Sequence, residues 1–148
     1  MFLGLYMPMR FRKESLSMNN ESVVHEWLRR AKSNLARAKA GKINADVILE
    51  DLCFDAQQAA EKALKALCLF HGIAFSHTHN IGELLTLLNA NDCIVPTELD
   101  GVDALTEYAV TTRYPGDWDP VDKEEYQEAL ALAEKVFAWV SENLTPKE

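Results

Sequence analysis

The stretch CFDAQQAAEKALK, residues 53–65, decides the fold of this chain. Its alanines and leucine recur at three- and four-residue steps, which is the period of one face of an α-helix. Such small side chains let neighbouring helices approach closely, so this helix is predicted to lie at the centre of the protein. The helix is predicted to run from an N-cap at Asn44 to about Phe70, with Gly72 ending it.

Apolar residues repeat with the same helical period in four further segments. The predicted helices cover residues 20–40, residues 80–88, a segment capped by Thr97 after Pro96, and a segment that begins at Asp119-Pro120. Gly41 is predicted to end the first of these, and Pro115-Gly116 the third. No alternation typical of β-strands has a useful length. The sequence therefore predicts an all-α protein, an up-and-down four-helix bundle with one additional short helix, five helices in total.

Size and composition are those of one globular domain. The chain has 148 residues, of which 48% are hydrophobic and 26% charged. We expect a helical domain over residues 20–148, preceded by an N-terminal arm over residues 1–19, and Met18 is an alternative start of translation. Three cysteines without a C-x-x-C spacing indicate a reducing, cytoplasmic setting. No stretch approaches the roughly 18 apolar residues that span a membrane, so no membrane association is predicted.

Charge is distributed unevenly along the chain. The net charge of −8 argues against indiscriminate binding to nucleic acid or anionic membrane. Basic residues nevertheless crowd the first predicted helix: Arg29, Arg30, Lys32, Arg37, Lys39 and Lys42. Carboxylates dominate residues 98–128. This asymmetry favours contact within the fold or with a second copy, and the alternative is two solvated faces of opposite sign.

Polar side chains of the central helix form the first candidate site. Gln58, Glu61 and Lys65 lie at three- and four-residue steps and therefore share one side of that helix. One interpretation is a solvated face with a Glu61–Lys65 ion pair. The other is a groove in which amide, carboxylate and ammonium groups bind a phosphate or a base.

A lone arginine and two histidines provide further candidates. Arg113, beside Tyr114, falls where a helix must end, so it either stabilises the helix dipole or presents a guanidinium to a phosphate. His77 and His79 form an H-x-H pair, but its spacing matches no known zinc motif, and no metal site is predicted. His79 is instead expected in the N-cap region of the third helix. Neither a metal nor an organic cofactor is predicted.

Several separated motifs together resemble the HEPN family of nucleotide-binding domains of higher eukaryotes and prokaryotes, in its small prokaryotic form. They occur in the family's order over residues 22–143: Trp27-Leu28 with Asn34-Leu35, Cys53-Phe54, Gln57-Gln58-Ala59, Glu61-Lys62 with Leu64-Lys65, His79-Asn80-Ile81, and Arg113-Tyr114-Pro115. Asn34 stands where an aspartate is often seen. The resemblance implies a helical bundle that usually dimerises and acts in nucleotide or RNA biology.

The resemblance also sets the functional expectations. Ribonuclease members carry a histidine four to six residues after the arginine, whereas no histidine follows His79 in this chain. We therefore expect a non-catalytic or weakly catalytic homodimer that binds a nucleotide or RNA, or acts with a minimal nucleotidyltransferase partner in a toxin–antitoxin-like pair. The binding residues implied are Arg113, Lys65, Gln58, His79 and Tyr114. The alternatives are a metal-independent ribonuclease, using Arg113 and His79 of a partner chain, and a purely protein-interaction module.

Overall fold

The computed structural model describes residues 5–6, 20–109 and 119–144. The elements, in chain order, are β1 (Leu5–Tyr6), α1 (Asn20–Ala40), α2 (Leu49–Phe70), β2 (Phe75–Ser76), α3 (Ile81–Ala90), 3₁₀ helices over Thr97–Leu99 and Val102–Ala109, and α4 (Lys123–Leu144). The predicted all-α class and up-and-down bundle are confirmed. Among the described residues, five helical segments have eight or more residues, and β1 and β2 form a two-residue antiparallel pair.

Helix α2 occupies the centre of the bundle, as the alanine pattern predicts. It packs against α1, α3, α4 and the second 3₁₀ helix. Its alanines at positions 56, 59, 60, 63 and 66 are all fully buried. Because the alanine side chain is small, the surrounding helices pack closely against α2 on several sides. Cys53 and Cys68 are also buried in this core, as predicted.

Glycine ends the first two helices where the sequence predicts it. Gly41 and Gly72 both have positive φ angles, +72° and +71°, which glycine adopts without a Cβ clash. At the end of α2, the Ile73 N–H donates to the Cys68 carbonyl at 2.8 Å, and the Gly72 N–H donates to Leu69 at 3.0 Å. These two bonds form a Schellman motif, which satisfies the last carbonyls of the helix.

The predicted N-cap of α2 is wrong by four residues. The Asn44 side chain accepts the Asp46 N–H at 2.8 Å in a local turn, and the helix begins only at Leu49. Asparagine stabilises such turns as readily as helix N-termini, so the sequence signal is ambiguous. The N-cap of α2 is Ile48, whose side chain makes no capping hydrogen bond.

The other two cap predictions are also wrong. The helix expected after Thr97 is interrupted at Gly101, which has a φ of +89°, and continues as a 3₁₀ helix from Val102. Asp119-Pro120 precedes α4 without starting it. Asp122 accepts the Glu125 N–H at 2.8 Å and thus supplies the carboxylate cap three residues later. The predicted stop at Pro115-Gly116 lies outside the described residues.

Two residues of the N-terminal arm contact the domain. Leu5 and Tyr6 pair in antiparallel register with Ser76 and Phe75, in the connection between α2 and α3.

None of the helices over residues 20–109 and 119–144 combines the length and apolarity needed to cross a bilayer.

Candidate functional site

A buried polar row lies on the face of α2 that the sequence singles out. Gln57, Glu61 and Lys65 follow one another at four-residue steps and are only 0, 3 and 7% exposed. Charged side chains are rarely buried to this extent unless they are paired. The interpretation of Glu61 and Lys65 as a solvated face is therefore wrong. Gln58 is half-buried at the edge of the same row.

The Glu61 carboxylate is the centre of this row. Its Oε2 lies 2.8 Å from Lys65 Nζ. Its Oε1 accepts from Gln57 Nε2 at 2.9 Å and from Gln58 Nε2 at 3.4 Å. His79 Nδ1 lies 3.0 Å from the same Oε1. Both carboxylate oxygens are thus satisfied by side chains, which is the condition for keeping a charge in a protein interior.

Electrostatics keep Glu61 ionised. Burial raises the pKa of this carboxyl, but the hydrogen bond and the positive charge of Lys65, with the hydrogen bonds from Gln57 and His79, outweigh burial. The net result is a pKa below the ordinary value of 4.5. At neutral pH, Glu61 is therefore an anion that only accepts hydrogen bonds.

Aromatic rings surround the ammonium group of Lys65. Its Nζ lies 5.6 Å from the ring centroids of both Trp27, on α1, and Phe75, on β2. Distances of this size permit cation–π attraction, which is stronger where water is excluded. Lys65 is therefore held between three elements, and its role is to neutralise Glu61 from inside the bundle.

His79 connects the buried row with the protein surface. Its side chain is 68% exposed, although its Nδ1 contacts the nearly buried Glu61. Because ionised Glu61 can only accept, Nδ1 must carry the proton of this hydrogen bond. The Gln57 amide also donates to the His79 carbonyl at 3.2 Å, which fixes the backbone. The ring is thereby held in one tautomer, with Nε2 on its far side.

The start of α3 positions His79 relative to the second 3₁₀ helix. Asn80 caps α3 by accepting the Glu83 N–H at 3.1 Å, which confirms that His79 lies in the N-cap region. The Ile81 N–H donates to Thr106 Oγ1 at 3.0 Å. This contact ties the site to a 3₁₀ helix that ends at Ala109, just before the segment that contains Arg113.

Comparison with known proteins identifies the family. A family model described as "HEPN domain" matches residues 24–144. The chain belongs to the HEPN domain family. Its fold is similar to the crystal structure of TT1696 from Thermus thermophilus, with a TM-score of 0.66 and 37% identity over 80% of this chain and 96% of that one. It is also similar to ST0689, an archaeal HEPN homologue, with a TM-score of 0.66 and 27% identity over 82% of this chain and 98% of that one. No curated protein matches.

Three of the five predicted site residues of this HEPN domain come together around Glu61. Gln58, Lys65 and His79 all contact its carboxylate. Arg113 and Tyr114 lie outside the described residues, so their roles stay predictions. Among the described histidines, cysteines and carboxylates, no three are grouped to hold a metal ion.

Sequence reasoning missed a second polar cluster between α1 and α2. Asn34 and Asp55 are 5 and 7% exposed, and Asn34 Nδ2 donates to Asp55 Oδ1 at 2.8 Å. Arg37 Nη2 lies 2.5 Å from the same oxygen, and Lys62 Nζ donates to Asn34 Oδ1 at 2.8 Å. Gln57 was likewise missed as a site residue. Its four-residue step to Glu61 could have revealed it as an inward-facing partner.

Proposed function

We propose that this HEPN protein is a non-catalytic or weakly catalytic homodimer that binds the phosphate of a nucleotide or RNA. The observation that carries the proposal is the Glu61–His79 contact, which couples a buried anion to an exposed imidazole. The Glu61 carboxylate holds Nδ1 and leaves Nε2 as the exposed nitrogen of the ring, and in an imidazolium that Nε2–H donates to a phosphate oxygen.

The other predicted residues take distinct parts in this proposal. Gln58, half-buried beside Glu61, supplies an amide at the edge of the site. Lys65 is too buried to meet a ligand, so it acts by fixing Glu61. Arg113 is four residues beyond Ala109, so their Cα atoms are at most about 14 Å apart. It supplies the guanidinium for the phosphate, and Tyr114 stacks on the base.

Calorimetric titration with adenosine monophosphate and a single-stranded oligouridylate tests this assignment. We expect His79→Asn and Arg113→Gln each to weaken binding about tenfold, since each removes a charge-assisted hydrogen bond. The matched controls are His25→Asn and Arg29→Gln, which change exposed residues of α1. Unchanged affinity in both site variants, with wild-type folding by circular dichroism, would exclude this site.

The same contact supports a second candidate, a metal-independent ribonuclease. A histidine oriented by a carboxylate is suited to general-base catalysis. His79 of one or the partner chain would take the proton of a ribose 2′-hydroxyl, whose oxygen then attacks the adjacent phosphorus. The phosphorus–O5′ bond breaks, and the departing oxygen takes a proton from water. Arg113 would stabilise the charge that develops on the phosphate.

An RNA-cleavage assay in excess EDTA separates the two candidates. Cleavage by the wild type that is lost in His79→Ala, and blocked by a 2′-deoxy substitution in the substrate, would establish the ribonuclease. Intact RNA under conditions in which the wild type binds it would leave the non-catalytic role.

The family setting supplies the partner part of the proposal. The protein would act in the cytoplasm, in a toxin–antitoxin-like pair with a minimal nucleotidyltransferase that modifies the Tyr114 hydroxyl. Native mass spectrometry of the protein, expressed from its own promoter and then purified, tests for this partner and this modification. A homodimer carrying a nucleotide mass on a tyrosine peptide supports the pair, and an unmodified homodimer without a second protein supports a stand-alone binder. A monomer bound to an unrelated protein would favour the interaction module.

A further inference from the structure

A second concentration of charge lies beside the Glu61–His79 site, between α1 and α2. Arg30, Asn34 and Arg37 occupy positions i, i+4 and i+7 of α1 and therefore share one side of that helix. Lys62, from α2, reaches across to Asn34. Lys62 directly follows Glu61 on α2, and Glu61 Oε1 contacts His79, so the two surfaces are anchored at consecutive residues of one helix. We call Arg30, Arg37 and Lys62 the cationic row.

Hydrogen bonds fix two members of the cationic row to one another. Lys62 Nζ donates to Asn34 Oδ1, Asn34 Nδ2 donates to Asp55 Oδ1, and Arg37 Nη2 lies 2.5 Å from that same Asp55 oxygen. Asn34 and Asp55 are both buried, so this chain of contacts has little freedom to rearrange. The Arg37 side chain nevertheless remains accessible to a ligand, because it is 63% exposed.

The cationic row carries more positive charge than its own carboxylates offset. Glu26 contacts both Arg29 and Arg30, with nitrogen–oxygen distances of 2.9 and 2.7 Å. Asp55 contacts Arg37, whereas Lys62 contacts a neutral amide. The three cations of the row therefore contact two carboxylates, and Arg29 also shares one of these, so the row has an excess of one positive charge on a protein whose net charge is −8.

The pKa of Lys62 reflects the charges around its ammonium group. Burial lowers the pKa of Lys62, and the positive charges of Arg30 and Arg37 lower it further, against the opposing effect of Glu61 and Asp55. An anion placed among the three cations would relieve this repulsion.

We propose that the cationic row binds the phosphodiester backbone of a single-stranded RNA whose neighbouring phosphate occupies the His79 site. This inference rests on the proposed function and specifies its ligand as a polynucleotide rather than a mononucleotide. Arg30 and Arg37 are about two helical turns apart on α1, and Lys62 meets α1 at Asn34 between them, so the three cations form a line along which a chain with one charge per nucleotide can lie. Arg30 contacts Glu26 through Nε alone, so its Nη groups make no other hydrogen bond within the described residues.

A carboxylate-rich segment of a second copy, within residues 98–128, is the competing occupant. In the described part of the chain, the cations of α1 form ion pairs with Glu26, Asp55 and Glu134. None of these three carboxylates lies within residues 98–128, so that segment of a second copy could still contact the row. RNA is the better fit because α2 anchors both surfaces, the row through Lys62 and the proposed phosphate site through Glu61.

Fluorescence titration of the full-length protein with a single-stranded oligouridylate and with adenosine monophosphate tests the proposal. The test variants are Arg30→Gln and Lys62→Gln. The matched control is Arg29→Gln, which makes the same charge change as Arg30→Gln on the same helix and at a residue that contacts the same carboxylate, Glu26. We expect each test variant to weaken oligonucleotide binding about three- to tenfold at physiological salt. Each should reduce the slope of log affinity against log salt by about 0.7. Mononucleotide binding and the Arg29→Gln control should stay unchanged.

The possible results separate failure of this inference from failure of the proposed function. If the wild type binds neither ligand, both fail. If it binds RNA but Arg30→Gln and Lys62→Gln behave like Arg29→Gln, only the cationic row is excluded. Equal losses for mononucleotide and oligonucleotide would overturn the assignment to a backbone. Salt-dependent dimerisation that the test variants abolish, with RNA affinity unchanged, would assign the row to the acidic segment of a second copy.

Discussion

Lys65 Nζ lies 2.8 Å from Glu61 Oε2, one helical turn away, and both side chains are less than a tenth exposed. The pair is located on α2, in which 15 of the 22 residues are buried. Two charges in such a place are stable only together, because each alone would face a large desolvation cost. The position of His79, which contacts the same carboxylate, therefore depends on this buried ion pair.

Lys65→Met should destabilise the protein by about 3–5 kcal/mol, because it leaves the buried Glu61 carboxylate without its counter-ion. Urea unfolding followed by circular dichroism measures this loss. The double variant Glu61→Gln/Lys65→Met is the control, since it removes both charges with little change in volume, and we expect it to recover most of the stability. A single variant as stable as the wild type would show that Glu61 is solvated or protonated.

Stability should fall as the solution is acidified, and Glu61 should account for part of the fall. The folded-state pKa of Glu61 is below the ordinary 4.5, so its ionised form stabilises the fold above that pH. This contribution is lost as the pH falls through the folded-state pKa. Urea unfolding between pH 3 and 7 should therefore show a shallower acid dependence for Glu61→Gln than for the wild type, on the order of one titrating group fewer. Parallel curves would contradict the lowered pKa.

Asp55→Ala should destabilise the contact between α1 and α2 by about 2–3 kcal/mol, because a buried polar group loses its partner. The change removes the acceptor shared by Asn34 and Arg37 and leaves the buried Asn34 amide without that partner. Thermal unfolding measures the effect. Asp51→Ala, at an exposed position one turn earlier on α2, is the matched control and should lie within about 0.5 kcal/mol of the wild type. Equal stability of the two variants would show that the cluster contributes little.

Helical period and glycine positions made most of the fold predictable. The alanines of α2 identified the central helix, and Gly41 and Gly72 marked the ends of α1 and α2. Capping residues were less informative, because Asn44 and Asp119 are equally suited to turns. The competing signal, Asp122, is of the same chemical type as Asp119, so sequence alone could not rank them.

The candidate site was only partly predictable. Spacing placed Gln58, Glu61 and Lys65 on one side of α2, but it could not show whether that side faces solvent or another helix. That outcome depends on how α1 and β2 pack, which brings Trp27 and Phe75 around the Lys65 ammonium. The approach of His79 to Glu61 spans 18 residues of chain and is likewise a product of tertiary structure.

Thiol labelling of the native protein should be slow. Burial raises the pKa of Cys68 to about 12, with a smaller contribution from nearby Cys93, and burial also raises the pKa of Cys93. Cys53 and Cys68 have no exposed surface. Since the thiolate is the reactive form, Ellman's reagent at about pH 8 should label these thiols only as the fold opens.

The labelling rate then reports on opening of the bundle. In concentrated urea all three cysteines should react quickly, which is the control for the reagent. Under native conditions, Lys65→Met should accelerate labelling of Cys68, its neighbour on α2, because the variant lowers the free energy of unfolding. Rapid reaction of Cys53 or Cys68 in the native wild type would contradict a closed core around α2, and a rate unaffected by Lys65→Met would indicate that α2 opens independently of the ion pair.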